Sequence, residues 1–123
     1  MRKHILAAAA AAVLAGPAHA QVEIQWWHSM GGALGEALNG LAKQFNDSQK
    51  EYKVVAVYKG SYPESMTAAI AAYRAGNAPH ILQVFEVGTA TMMASKGAIV
   101  PVTKVMTDAK EPFDAAAYLP AVA

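Results

Sequence analysis

The chain has 123 residues, of which 54% are hydrophobic and 15% charged, and its formal net charge is +1. This balance excludes a disordered tail and argues against a strongly basic nucleic-acid binder. The absence of cysteine excludes disulfides, thiolate metal sites and thiol nucleophiles. Beyond residues 1–20, the remainder is long enough for one small domain or for part of a larger one.

Residues 1–20 are typical of a cleavable signal peptide. Arg2 and Lys3 give a positive start, and the apolar run at 5–15 is too short to cross ~30 Å of hydrocarbon as a helix. The Ala-His-Ala sequence at 18–20 fits the small-x-small cleavage pattern. The alternatives are a membrane anchor or a buried helix. Because no lipoprotein cysteine follows, we expect cleavage after Ala20 and release into a periplasm.

The mature chain begins with a strand followed by a helix. Alternating apolar and polar residues at 22–26 predict the first strand, which continues through Trp27 and His28 into a loop. After Gly31 and Gly32, apolar residues recur with helical spacing. They are Leu34, Leu38, Leu41 and Phe45. This pattern predicts a helix that buries that face and ends at 46–48.

A second strand and helix follow. The Val- and Tyr-rich segment 52–58 predicts the strand. Ser61, Pro63 and Glu64 are together typical of a helix start, with Ser as N-cap, Pro in the first turn and Glu three residues after the cap. The predicted apolar face consists of Met66, Ile70 and Tyr73. We expect this helix to end at 76–77.

The third unit is weaker. The apolar run 81–85 predicts a short buried strand, 88–96 predicts a helix, and 98–102 predicts an extended edge. The pattern fades after residue 103, and we expect residues 21–123 to be a truncated piece of one lobe. The order β-α-β-α-β-α predicts an α/β fold with a mainly parallel sheet, flanking helices and right-handed crossovers.

Ligands of such sheets bind beyond the carboxyl ends of the strands, where the loops 27–32, 59–62 and 86–89 are expected to meet. Glu86 directly follows a strand and could accept hydrogen bonds from ligand hydroxyls, but the residues by themselves favour a solvated acid at a helix start. Tyr62 could pack against a ligand carbon skeleton or be buried under a loop.

The tryptophans and the backbone of the first loop are weaker candidates. Trp26 and Trp27 could form a platform for a sugar, but alternation places one of them in the core. Free amides at Gly31 and Gly32 suit an anion, yet the loop is neither a P-loop nor a dinucleotide fingerprint.

Catalysis has little support in this sequence. His28 and Ser29 suggest a hydrolase, but no G-x-S-x-G elbow is present. His28, His80 and Glu86 lack the spacing of a metal site. We therefore expect no catalytic residue, no metal and no cofactor.

Five segments together resemble one family. They are Trp27-His28-Ser29-Met30, Leu41-Ala42-x-x-Phe45-Asn46, Tyr58-Lys59-Gly60-x-Tyr62, Ala78-Pro79-x-Ile81-Leu82-Gln83-Val84 and the run 86–96. The stretch 83–96 is the most specific. Through them, residues 21–123 resemble the extracellular solute-binding proteins of ABC importers related to maltose-binding protein, in particular the periplasmic binders of sn-glycerol 3-phosphate.

The resemblance implies two α/β lobes around a cleft in a protein several times longer, so that residues 21–123 are the N-terminal part of the first lobe. Tyr62 and Glu86 match two ligand-contacting positions of the family. The other contacts, including a phosphate-pairing Arg, would lie beyond Ala123. The implied function is capture of sn-glycerol 3-phosphate, with glycerophosphodiesters as a further candidate, and delivery to permease subunits in the inner membrane. The implied protein is a monomer without a nucleic-acid partner.

Three other interpretations remain open at this point. A neutral sugar or oligosaccharide binder of the same family would need several Trp and Asp in the other cleft wall. An exported hydrolase domain would need a downstream His or Asp partner. A stand-alone structural or adaptor domain would need the chain to fold alone.

Overall fold

The computed structural model describes residues 20–111 and 113–119, where strands and helices alternate. The elements are β1 (Val22–His28), α1 (Gly32–Ser48), β2 (Tyr52–Tyr58), α2 (Tyr62–Arg74), β3 (Ile81–Leu82), α3 (Glu86–Ala94), α4 (Val102–Asp108) and a 3-10 turn (Ala115–Ala117). This alternation confirms the predicted α/β class. The predicted signal peptide lies outside the described residues, apart from Ala20.

The three strands form a parallel sheet in the order β2-β1-β3. β1 pairs with β2 along its whole length, from Val22↔Tyr52 to His28↔Tyr58, and with β3 only at Trp26↔Ile81 and Trp27↔Leu82. The first connection therefore moves to one side of β1, and the second crosses back to the other side. Right-handed connections place α1 and α2 on opposite faces of such a sheet.

The buried face of α1 differs from the predicted face. Of the residues predicted to be buried, only Leu38 is. The buried residues are Gly35, Leu38 and Ala42. Leu34, Leu41 and Phe45 are 66%, 60% and 43% exposed. Glycine at position 35 lets the start of α1 lie against the loop that precedes it, since a Cβ there would come within 2.6 Å of the Met30 carbonyl oxygen. Close approach, rather than side-chain size, decides this contact.

The same correction applies to α2. Its buried residues are Ser65 and Ala69. Of the predicted face, Met66 and Ile70 are half-buried, whereas Tyr73 is 47% exposed. The predicted end of α2 is confirmed, because Gly76 takes a left-handed φ of +76° directly after the helix cap.

The predicted start of α2 is also confirmed. Ser61 and Glu64 form a capping box, in which the Ser61 backbone N–H and hydroxyl both donate to Glu64 Oε2 over 2.7 Å. These hydrogen bonds, the backbone one first, lower the pKa of the Glu64 carboxyl below its usual value. The box fixes the first turn of α2 at the end of the β2–α2 loop.

The third unit departs from its prediction in three respects. β3 spans only two residues, and Ile81 is 46% exposed, so it is a short edge strand of the described sheet rather than a buried one. Helix α3 begins at Glu86, two residues before the predicted start. The segment 98–102 pairs with no described strand, and α4 follows it where no helix was predicted. An exposed Lys104–Asp108 ion pair at i, i+4 supports α4.

Gly60 gives a direct test of the β2–α2 turn. Its φ is +79°, and a Cβ there would lie 2.5 Å from Glu64 Oε2. Gly60→Ala is expected to lower the free energy of unfolding of the full chain by about 1–2 kcal/mol, because an L side chain is strained in this region. Urea denaturation measures the change.

The matched control is Gly40→Ala. Gly40 lies inside α1, has no left-handed φ, and has open space around its would-be Cβ. Alanine is the better helix former, so this substitution should raise the free energy of unfolding by roughly 0.5–1 kcal/mol. Equal effects at the two glycines would contradict the turn geometry.

Candidate functional site

The candidate site lies at the carboxyl edge of the sheet, between β1 and β3. The chain leaves β1 towards β2 on one side and later returns to form β3 on the other, so the connections diverge at this point. Divergence opens a crevice beyond the strand ends, which is where ligands bind in open α/β sheets. Helices α1, α2 and α3 all begin at this edge because each follows the carboxyl end of a strand.

Gln83 joins the two walls of the crevice. Its backbone N–H donates to the Trp27 carbonyl over 2.9 Å and so extends the β1–β3 ladder by one bond. Its side-chain Oε1 accepts the Ser29 N–H over 3.0 Å. The loop after β1 is thereby tied to the loop after β3. Nothing in the sequence pattern indicated this role, because glutamine in a loop carries no specific signal.

The two tryptophans lie on opposite faces of β1. Trp26 and His28 share one face, where the His28 ring lies 6.3 Å from the Trp26 ring and 6.0 Å from the Tyr58 ring. Trp27 lies on the other face and is only 8% exposed. The prediction that one tryptophan belongs to the core is confirmed for Trp27, and a two-tryptophan sugar platform is excluded.

The loop between β1 and α1 is held from within. His28 is 2% exposed, and its Nδ1 accepts the Met30 N–H over 3.3 Å. This bond engages one of the two ring nitrogens and joins the ring to the start of the loop. Gly31 forms the cap of α1 in an extended conformation, so the first amides of the helix face the carboxyl edge.

Tyr62 is the first residue of α2 and is half-buried. Its ring lies 5.3 Å from the ring of Phe85, the residue that caps α3. An aromatic pair at this distance stabilises both ring positions. The ring therefore packs on the neighbouring loop, which was one of the two alternatives, while contact with a ligand stays a prediction.

Glu86 is the first residue of α3 and is exposed. Its carboxylate lies in the first helical turn, where negative charge interacts favourably with the helix dipole. Phe85 directly precedes it, so the structure brings Tyr62 and Glu86 to neighbouring positions on the same edge. The two residues are 24 positions apart in sequence, and the fold of α2 and α3 joins them.

Close packing at Gly88 fixes the start of α3. A Cβ there would lie 2.9 Å from the Phe85 ring, 3.0 Å from Val84 Cγ1 and 3.2 Å from Met66 Sδ. Only hydrogen fits between α3 and these neighbours. The first turn of α3, including Glu86, is therefore set by its contact with α2.

Lys59 is a residue of this edge that was not predicted. It directly follows β2, and its Nζ lies 3.9 Å from the centroid of the Trp27 ring. Its backbone N–H donates to the His28 carbonyl over 2.9 Å. The pairing of Trp27 with Val57, together with alternation along β2, places residue 59 on the same face as Trp27. The sequence alone did not give this pairing.

The described structure holds the two histidines of the mature chain at separate positions. His80 Nδ1 accepts the Gln25 N–H over 3.1 Å, and Gln25 lies three residues before His28, or about 10 Å along β1. Within residues 20–111 and 113–119, no three His, Asp or Glu side chains are grouped as metal ligands would be. None of the helices in this part of the chain is both long and apolar enough to cross a bilayer.

The fold and the crevice define an α/β unit whose candidate ligand site lies at the carboxyl edge of a parallel sheet. No family model matches the chain. The chain is 49% identical over 118 residues to the sn-glycerol-3-phosphate-binding periplasmic protein UgpB of Brucella abortus. These residues make up 96% of this chain and 27% of that protein. It is 52% identical to the Yersinia enterocolitica protein of that name over 123 residues, all of this chain and 28% of that protein.

A third relative of the same name, from Yersinia pestis biovar Antiqua, is 57% identical over 106 residues, which cover 86% of this chain and 24% of that protein. The chain is therefore similar, at about 50% identity over nearly its whole length, to proteins named as periplasmic sn-glycerol-3-phosphate-binding proteins. The chain spans about a quarter of the length of the relatives it matches.

Proposed function

We propose that this chain belongs to the periplasmic solute-binding component of an ABC importer that captures sn-glycerol 3-phosphate, with glycerophosphodiesters as further ligands. The observation that carries the proposal is the near-50% identity over the whole chain to proteins named for that ligand. In this proposal, residues 1–20 are an export signal cleaved after Ala20, and residues 21–123 are part of the first lobe.

The proposed chemistry is binding without turnover. The Glu86 carboxylate accepts hydrogen bonds from the glycerol hydroxyls, and Tyr62 binds the ligand beside it. The exposure of Glu86 and the packing of Tyr62 on Phe85 support these roles, because one group is free to accept and the other is held in place. A second lobe closes over the ligand, and the closed monomer docks on permease subunits in the inner membrane.

A hybrid protein tests the proposal. In it, this chain replaces the segment that it matches in the Yersinia enterocolitica relative. Calorimetry with sn-glycerol 3-phosphate should give the affinity of the parent protein within about tenfold, and glycerol and maltose should bind far more weakly. Circular dichroism and thermal melting confirm folding of the hybrid.

Two results would contradict the proposal. Preferential binding of maltose would favour the neutral-sugar alternative. A hybrid that does not fold, beside a parent that does, would contradict the assignment of residues 21–123 to the same lobe.

Tyr62→Phe separates the hydroxyl from the ring. The substitution keeps the contact with Phe85, so folding should be unchanged, while loss of a ligand hydrogen bond should weaken binding of sn-glycerol 3-phosphate by about 0.5–1.5 kcal/mol. Titration calorimetry on the hybrid measures this loss. The matched control is Tyr73→Phe, at the far end of α2 and 47% exposed. Unchanged affinity for Tyr62→Phe would rule out a role for its hydroxyl.

A further inference from the structure

Basic residues are unevenly placed in this chain. Three residues directly follow the described strands, namely Ser29, Lys59 and Gln83, and only Lys59 is charged. The other described Lys and Arg lie within helices, near the start of β2, or in the turns after α3 and α4. Lys59 is therefore the one cation that the described sheet presents at its carboxyl edge.

Lys59 is held on a rigid support. Its Nζ lies 3.9 Å from the centre of the Trp27 ring, and Trp27 is buried and donates from Nε1 to Gln25 Oε1 over 3.2 Å. The backbone of Lys59 is fixed by its bond to the His28 carbonyl. Both ends of the lysine therefore contact β1, the backbone through His28 and the ammonium group through Trp27.

The charge of Lys59 is not neutralised by the described residues around it. The aromatic face attracts a cation but carries no net charge. The described salt bridges join Lys43 to Asp47 and Lys104 to Asp108, and neither involves Lys59. Glu64, an acid in the first turn of α2, uses its Oε2 to accept both Ser61 donors. A half-buried cation without a carboxylate partner is suited to an anionic ligand.

We propose that Lys59 is the residue of this chain that attracts the anionic group of the ligand, through an ammonium fixed on Trp27. The inference rests on the proposed function and deepens it. Lys59 precedes Tyr62 by three residues, and Gly60 turns the chain between them. With Glu86 on the next helix, this wall combines a hydrogen-bond acceptor for hydroxyls with a positive charge for a phosphate ester.

The experiment uses the hybrid and compares three variants. Lys59→Met removes the charge but keeps an apolar side chain on Trp27, and Lys59→Arg keeps the charge and the cation–π contact. Lys53→Met removes the same charge near the other end of β2, as the matched control. Calorimetry gives the affinity for sn-glycerol 3-phosphate at about 0.01 M and about 1 M salt, where charges are weakly and strongly screened.

Lys59→Met is expected to weaken binding by roughly three- to tenfold at low salt and to have a much smaller effect at high salt. Lys59→Arg should stay within about twofold of the unsubstituted hybrid, and Lys53→Met should have little effect. Equal losses at both salt concentrations would mean that Lys59 only covers Trp27. Equal losses for Lys53→Met would assign the effect to net charge. Either result overturns the inference.

The unsubstituted hybrid distinguishes the two levels of the proposal. If it does not bind sn-glycerol 3-phosphate, the proposed function fails and the inference fails with it. If it binds and Lys59→Met binds equally well at low salt, the function stands and the role of Lys59 is wrong.

Discussion

Glu86→Ala is expected to weaken binding of sn-glycerol 3-phosphate by the hybrid by more than about 1.5 kcal/mol, or more than tenfold, because it removes a charged acceptor of ligand hydroxyl groups. Glu86 is exposed at the first position of α3, beside the ring pair of Tyr62 and Phe85. Its loss therefore leaves no cavity. Titration calorimetry at one fixed salt concentration measures the change in affinity.

The control for this prediction is Glu51→Ala. Glu51 is an exposed acid at the opposite edge of the sheet, directly before β2. The substitution Glu51→Ala removes the same charge far from the crevice and should leave the affinity for sn-glycerol 3-phosphate unchanged. Glu86→Ala also removes a favourable interaction with the start of α3, so thermal melting must accompany the binding data. Unchanged affinity for Glu86→Ala would exclude Glu86 from the site.

Trp27→Ala is expected to have the largest effect on stability, lowering the free energy of unfolding of the hybrid by about 3–5 kcal/mol. Trp27 is 8% exposed on the central strand, and its ring supports Lys59 and donates to Gln25. Truncation removes a large apolar side chain, leaves a cavity and takes away the support of Lys59. Urea denaturation followed by circular dichroism measures the loss.

The adjacent Trp26→Ala provides the comparison. Trp26 lies on the other face of β1 and is only half-buried, so its truncation should cost clearly less. Both variants remove the same side chain from neighbouring positions of one strand. A difference between their free energies of unfolding therefore reflects how deeply each face of the sheet is buried, not the type of residue removed. Equal losses would contradict the deeper burial of Trp27.

Local patterns in the sequence predicted the order of elements well. Alternation predicted β1, the Val- and Tyr-rich composition of 52–58 predicted β2, and the combination of Ser61, Pro63 and Glu64 predicted the start of α2. These signals are local because a cap or an alternating strand depends on residues only a few positions apart. The third unit was predicted less well. Its strand, β3, is short and pairs with only two residues of β1. The local sequence pattern therefore did not indicate how much of β3 is buried.

The buried faces of the helices were the least predictable feature. The largest apolar residues of α1 are mostly exposed within the described structure, whereas Gly35 and Ala42 are buried. In α2, Ser65 and Ala69 are buried, whereas the larger Met66 and Ile70 are only half-buried. Close approach between elements selects small residues, and hydrophobic periodicity gives most weight to large ones. Packing distance is therefore information that the pattern does not contain.

The sequence by itself determined that this chain is a parallel α/β unit and that Tyr62 and Glu86 are candidates for ligand contact. Only the tertiary structure decided that Tyr62 packs on the residue before Glu86, that Gln83 ties the two loops, and that Lys59 rests on Trp27. The physical reason is the distance along the chain. Caps and alternation act over a few residues, whereas these contacts join segments that meet only when β1 pairs with both of its neighbours.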